Sequence, residues 1–248
     1  MSWGGVSGES LAATLGLPRV IAVSRVGSTM DAAHALAAEG APAGTLVIAE
    51  EQTAGRGRGG RVWTSRQGTG LWMTLIERPR TDDGLDVLSL RVGLRLAPVL
   101  ERWTPTPIRL KWPNDLFVGN RKLAGVLIEA RWRGARADWV AIGLGVNLTP
   151  APGAANDLGA VDAAALEGAD PHAVLAEVVP ALRAAAGASG PLREEELAVF
   201  AARDLAVGQL VSHPANGTVR GISPSGELLV ETADGVRHCR AGSLVLVA

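Results

Sequence analysis

The stretch Gly55-Arg56-Gly57-Arg58-Gly59-Gly60-Arg61 sets three arginines among four glycines. Glycine admits positive φ and close backbone approach, inward-facing N–H groups can converge on one acceptor, and guanidinium forks add permanent bidentate charge. The chemistry this favours is capture of a phosphate or an adenylate. Gly55, Gly57 and Gly60 also satisfy the G-x-G-x-x-G spacing, behind the strand-like run Thr45-Leu46-Val47-Ile48-Ala49. That fingerprint needs a helix directly after the glycines to receive the pyrophosphate. The chain instead continues Val62-Trp63-Thr64-Ser65-Arg66-Gln67-Gly68-Thr69-Gly70, with two more glycines and no helical period, which argues against dinucleotide binding. No Gly-Lys-Ser/Thr follows, so a Walker loop is excluded. The plain alternative is a solvated arginine loop or an RGG-like nucleic-acid tether, and the apolar strands on either side argue against the disorder a tether needs.

A second chemical group is Arg109-Leu110-Lys111-Trp112-Pro113-Asn114-Asp115. Strand alternation puts Lys111 opposite Leu110, and Pro113 ends the strand by withholding a ladder donor. The lysine is thereby fixed where the sheet stops, although the segment alone suits a surface lysine beside a core Trp112 equally well. Leu123-Ala124-Gly125-Val126-Leu127-Ile128-Glu129 and Ile142-Gly143-Leu144-Gly145-Val146-Asn147 read as strands whose glycines either admit a close neighbour or mark bulges. Asn147, at a strand end, can form a turn or offer its amide to an adenine edge.

These groups need a scaffold. Ser28-Thr29 caps an alanine-rich helix over Met30–Glu39 that Gly40 stops. Leu85, Leu88, Val92, Leu96 and Leu100 recur at helical steps and predict an amphipathic helix over about 84–102, with Pro98 inside it and Arg91, Arg95 and Glu101 on its solvated face. Segments 71–77, 108–112, 123–132 and 139–148 read as strands, and the short breaks Gly119-Asn120 and Gly134-Ala135 favour antiparallel neighbours. Segments 171–186 and 194–203 read as helices after a loop rich in Ala, Pro and Gly around 149–170. From Asp204 onward, the turn pairs Asn216-Gly217, Ser225-Gly226 and Asp234-Gly235 punctuate short apolar runs, the texture of a small β-barrel. At that size it should lean on the main body for stability. The expected class is α+β, with a catalytic domain over 1–203 and a barrel over 204–248.

Composition restricts the function. The 248 residues are 47% hydrophobic and carry a formal net charge of −1, so no global field recruits DNA or an acidic membrane. A polyanion site must be built locally. The single cysteine, Cys239, allows no internal disulfide, and His34, His172, His213 and His238 are dispersed along the chain. Neither a secretory signal nor an uninterrupted apolar span is present, and a reducing cytoplasm is the expected compartment.

Taken in order, Ser28-Thr29, the run Glu51-Gln52-Thr53-Ala54 through Arg61-Val62-Trp63, Lys111-Trp112-Pro113-Asn114-Asp115, Lys122-Leu123-Ala124-Gly125 and Gly143-Leu144-Gly145-Val146-Asn147 closely resemble the biotin protein ligases. The resemblance spans about 28–148. It implies a mixed, largely antiparallel sheet of the class II synthetase type with flanking helices, and an SH3-like C-terminal barrel. It implies the joining of biotin to a lysine of a biotin carboxyl carrier protein through biotinyl-5′-AMP, with ATP and biotin as substrates and Mg²⁺ beside the ATP. Lys111, Arg56 and Arg58 would neutralise the reacting anions. Ser28, Thr29, Gln52, Gly55, Arg56, Arg58, Trp63, Lys111, Gly125 and Leu127 would contact biotin. Arg58, Gly59, Gly60, Lys111 and Asn147 would contact the nucleotide.

By the same resemblance the arginine loop would order over biotin and retain the adenylate, while Asp115 would be a structural partner of the Lys111 turn. The metal ligands are not assigned. The chain starts almost directly at the catalytic domain, so a winged-helix DNA-binding region and transcriptional control are not expected. The loop from Leu148 to Ala160, which in relatives can close on the adenylate, lacks an aromatic residue. Monomer and weak homodimer both remain open. Two other readings stand beside this one: a lipoate or octanoate transferase, which would need a long apolar channel, and a nonenzymatic RNA-binding protein, whose affinity would fall with salt and ignore biotin.

Overall fold

A computed structural model describes residues 2–150 and 163–247. Two short paired strands, β1 (Ser2–Trp3) and β2 (Val6–Ser7), lead into helix α1 (Gly8–Leu15), then strand β3 (Arg19–Val26), helix α2 (Thr29–Ala38) and strands β4 (Thr45–Gln52) and β5 (Gly70–Glu77). Helix α3 (Leu88–Leu100) lies between two 3₁₀ turns and is followed by strands β6 (Ile108–Lys111), β7 (Asp115–Val118), β8 (Arg121–Arg133) and β9 (Arg136–Asn147). Helices α4 (Pro171–Ala186) and α5 (Glu194–Arg203) complete the main body. Strands β10 (Leu210–His213), β11 (Gly217–Ile222), β12 (Leu228–Thr232), β13 (Gly235–Cys239) and β14 (Val245–Leu246) end the described chain.

The main sheet has seven strands in the order β3-β4-β5-β9-β8-β7-β6. Among the described residues only β3 and β4 of this sheet pair in parallel; its other ladders are antiparallel, including the β7–β8 and β8–β9 pairs joined by the short breaks Gly119-Asn120 and Gly134-Ala135. Alternation along each strand divides the core. Leu46 and Ile48 of β4 and Leu71, Met73 and Leu75 of β5 face a large cluster shared with α3 and α4, while Val47 and Ile76 face a small cluster made with Ala33 and Ala37 of α2. Helix α2 begins where the Ser28 side chain accepts from the Met30 N–H, and the chain leaves it at Gly40 with φ +92°.

Helix α3 corrects one expectation. Leu88, Val92, Leu96 and Leu100 are buried as its period demands, each contributing about 2 kcal/mol of transfer free energy. Arg95 is exposed, but Arg91 is only 1% exposed. Its Nε donates to Glu196 Oε1 at 2.7 Å, and its Nη2 donates to the carbonyls of Gly190 and Pro191. Glu101 is paired too: it accepts the Ile108 N–H at 2.7 Å and an Arg203 Nη2–H at 3.0 Å. Helix α5 and the segment before it cover this face. The periodicity of one helix carries no information about a second helix about a hundred residues later.

The C-terminal strands form a five-stranded antiparallel sheet in the order β13-β12-β11-β10-β14. It leans on the main body as expected. Val211, Val219, Leu228, Val230 and Leu244 belong to the same apolar cluster as α3 and α4. The Trp112 indole N–H donates to Gly226 O at 2.9 Å, and the Leu205 N–H donates to Leu110 O at 2.9 Å. Among the described residues no helix is long and apolar enough to cross a membrane.

Candidate active site

A cavity of about 550 Å³ opens on the α2 side of the main sheet, between strands β5, β8 and β9, the arginine loop and the Lys111 turn. One wall is a connected polar chain. Thr74 Oγ1 donates to Thr29 Oγ1 at 2.9 Å; the Thr29 N–H and O–H donate to Gln52 Oε1 at 2.9 and 3.0 Å; Gln52 Nε2 donates to Ser65 Oγ at 2.8 Å. Each member fixes the rotamer of the next, so the wall presents pre-set donors and acceptors.

The strand glycines do admit a close neighbour, and it is Trp63. A Cβ on Gly145 would lie 2.6 Å from the indole, and one on Gly125 would lie 2.9 Å from it. Gly143 makes room for Met30 in the same way. Trp63 meets Trp72 edge to face, ring centroids 6.3 Å apart. Its indole N–H is buried and has no hydrogen-bond partner among the described residues, a donor that a bound ligand could satisfy.

Six cationic side chains line the cavity: Arg56, Arg58, Arg61, Arg66, Lys111 and Lys122. Asp115 is the only carboxylate among the described lining residues, and it lies 2.7 Å from Lys122 Nζ. Lys111 is 5% exposed, its Nζ 5.9 Å from the Phe117 ring centroid. The turn that carries it is anchored on both sides, because Asn114 Nδ2 donates to Val126 O at 2.7 Å and Ser89 Oγ donates to Pro113 O at 3.2 Å. No three His, Cys, Asp or Glu side chains converge on a metal position among the described residues.

The loop arginines all have protein partners. Arg56 bonds Asp31 at 2.6 Å and also Glu129. Arg58 stacks over Trp112 at 6.0 Å and donates to Gly242 O at 2.9 Å; Arg61 meets Ser243 Oγ. Burial pulls the Arg58 guanidinium below its ordinary pKa, and Asp115 opposes that shift. Behind Glu129 lies His34, whose Nε2 is 3.0 Å from the carboxylate while its Nδ1 receives the Trp139 indole N–H at 2.9 Å. Burial lowers the His34 pKa against the raising effect of Glu129.

Of the residues singled out in the sequence, Ser28, Thr29, Gln52, Arg56, Arg58, Trp63, Lys111, Gly125, Leu127 and Asn147 line the cavity. Gly55, Gly59 and Gly60 do not. Gly55 is buried at the root of the loop hairpin, where a Cβ would lie 2.3 Å from Trp63 O, and Gly59 and Gly60 form the exposed tip with φ +65° and +76°. Asn147 donates to Lys122 O at 3.3 Å. The loop expected to close over the adenylate lies outside the described residues from Ala151 onward, although Pro150 and Ala163 reach the cavity from either side.

Trp72, Thr74, Phe117, Lys122, Ser243 and Leu244 line the cavity without having been assigned there from the sequence. Alternation along 71–77 could have paired Trp72 with Thr74 on one face. Nothing local to Ser243 could have brought it to an arginine 182 positions away.

The sequence pattern of the Biotin/lipoate A/B protein ligase family matches residues 22–147. The chain is 40% identical over 126 residues to the bifunctional ligase/repressor BirA of Bacillus subtilis, a match covering 50% of this chain and 39% of that protein. It is 38% identical over 141 residues to the biotin–[acetyl-CoA-carboxylase] ligase of Paracoccus denitrificans, covering 55% of this chain and 58% of that one. The matches therefore span less than two thirds of these relatives. The biotin protein ligase of Aquifex aeolicus, solved in complex with biotin and ATP, superposes with a TM-score of 0.74 at 27% identity over 92% of this chain and 98% of that chain.

Proposed function

Because this chain belongs to the Biotin/lipoate A/B protein ligase family, we propose that it activates biotin with ATP to biotinyl-5′-AMP and transfers the biotinyl group to a lysine of a biotin carboxyl carrier protein. The observation that carries this reading is a cavity with a polar wall, an apolar tryptophan floor and, among its described lining residues, six cations against one carboxylate. In the first step a biotin carboxylate oxygen attacks the α-phosphorus and pyrophosphate leaves. Two anions must meet for this, and preorganised cations lower the barrier by neutralising both. Lys111, held at the strand end, touches the carboxylate and the α-phosphate, with Arg58 and Arg56 beside it. In the second step the carrier's lysine amine attacks the acyl carbon and AMP leaves, so no side chain of this protein need become covalently bound.

A ureido ring offers two N–H donors and one carbonyl acceptor, which suits the hydroxyl and amide groups of Ser28, Thr29 and Gln52 better than it suits a plain hydrocarbon. That polar wall favours biotin over lipoate. Leu127 and Trp63, whose indole is seated on the bare backbone of Gly125 and Gly145, would take the apolar part of the ligand, and Asn147 the adenine edge. Gly55, Gly59 and Gly60 would act through the loop backbone. Magnesium would travel with the ATP phosphates and waters, as it commonly does. We assign residues 1–203 to catalysis and 204–248 to an SH3-like barrel, and a cytoplasmic setting fits the lone cysteine and the use of ATP.

The test is direct. Incubation with biotin, ATP, Mg²⁺ and a carrier domain should add one biotinyl group to the carrier by mass spectrometry, and biotin should drive exchange of labelled pyrophosphate into ATP. Absence of exchange would overturn the reading. Lipoate displacing biotin at equal concentration would move it to the other branch of the family.

A further inference from the structure

We propose that Glu129 is a positioning residue that fixes Arg56, and with it the root of the arginine loop, through a hydrogen-bonded relay running from Trp139 and His34. The relay crosses three elements. Trp139 on β9 has an indole N–H that can only donate, so His34 Nδ1, which receives it at 2.9 Å, is unprotonated. The neutral His34 ring then carries its proton on Nε2 and donates it to Glu129 Oε2 at 3.0 Å. That leaves Glu129 Oε1 for Arg56 Nη2, while Arg56 Nη1 reaches Asp31 at 2.6 Å. Every polar atom along the line has its direction set by the one before.

The place of Arg56 gives the relay its consequence. Its backbone bridges Val62, and the Trp63 N–H bonds Gly55 O at 2.9 Å, so residues 55–63 form a hairpin with Arg56 at the base and Gly59 and Gly60 at the tip. A hairpin of five glycine-rich tip residues has little stiffness of its own. Anchoring its base to β8 sets where Arg58 and Arg61 fall relative to the cavity. Neither Glu129 nor His34 lines that cavity, so both act through Arg56 and touch no substrate.

The experiment uses the full chain without ligand and measures tryptic cleavage after Arg58 and Arg61 by mass spectrometry. Glu129→Gln keeps the shape and removes the charge, and should raise cleavage roughly tenfold, the weight of one charge-assisted hydrogen bond read through the population of open loop. Trp139→Phe removes the N–H donor while keeping an aromatic ring in place, and should shift cleavage in the same direction by less, which keeps the test valid if Glu129→Gln folds poorly. In an Arg56→Ala background Glu129→Gln should add nothing; additive effects, or unchanged cleavage in both single variants, would overturn the proposal. On the functional reading above, Glu129→Gln should also release more acyl-adenylate into solution per turnover. Loss of that arm alone, with wild-type protein inactive toward biotin, would count against the functional reading and leave the cleavage result to judge the anchor.

Discussion

At the scale of single residues the chemistry rests on where charge is held. Lys111 is expected to matter most in the transition state, because a buried cation at a fixed strand end needs no reorganisation when negative charge builds beside it. Lys111→Ala should therefore lower biotin-dependent pyrophosphate exchange by roughly 10²–10³-fold, with biotin binding still measurable by calorimetry; near-normal exchange would remove Lys111 from the mechanism. Arg58→Gly would lose both the Trp112 stack and the bond to Gly242 O, and should label bystander proteins in a lysate where the parent labels only the carrier. The arginines stand out in the sequence as candidate anion ligands because glycine spacing is a local signal. Their resting partners were not legible: Asp31, Glu129, Gly242 and Ser243 lie 25, 73, 184 and 182 positions away from the arginines they meet.

At the scale of elements, two strands and one helix show what period can and cannot convey. Gly143 and Gly145 on β9 and Gly125 on β8 signalled a close approach, but only the fold identifies Trp63 and Met30 as what approaches. Gly145→Ala puts a methyl group 2.6 Å from the Trp63 ring, which the ring can relieve only by moving off the sheet. Biotin affinity should fall about tenfold, read by calorimetry, with a thermal midpoint close to the parent's because the loop that carries Trp63 is partly exposed; unchanged affinity would show that the indole is not part of the binding floor. Helix α3 poses the converse case, in which leucine spacing located the helix yet the burial of Arg91 depends on α5. Arg91→Ala leaves the Glu196 carboxylate without its buried partner and should cost about 3–5 kcal/mol in urea unfolding.

At the scale of the whole molecule, the antiparallel character and the C-terminal sheet followed from short turns, whereas the central place of β9 and the parallel β3–β4 pair depend on long-range packing that no window of sequence contains. The joint between the main body and the C-terminal sheet buries a carboxylate. Asp204 follows α5 directly, is 2% exposed, and has one oxygen bonded to the Ala206 N–H at 2.8 Å while the other has no partner among the described residues. Burial pushes its pKa up to about 6, against the lowering effects of the Ala206 N–H and Arg109. An acid whose pKa is raised by folding binds its proton more tightly when folded, so this group adds stability as pH falls from about 6 toward 4 and withdraws it as pH rises through that window. The shift corresponds to roughly 3 kcal/mol at most. Glu101 and Glu196 work in the opposite direction, since their arginine partners depress their pKa values and their contribution is lost on acidification. The difference between Asp204→Asn and the parent isolates the joint from these neighbours. Asp204→Asn should be more stable by about 1–3 kcal/mol at pH 7.5, with the gap closing toward pH 4 in urea titrations. A gap independent of pH would mean that no carboxylate charge is held at the joint, and a variant less stable at pH 7.5 would mean that the carboxylate has a partner that offsets its burial.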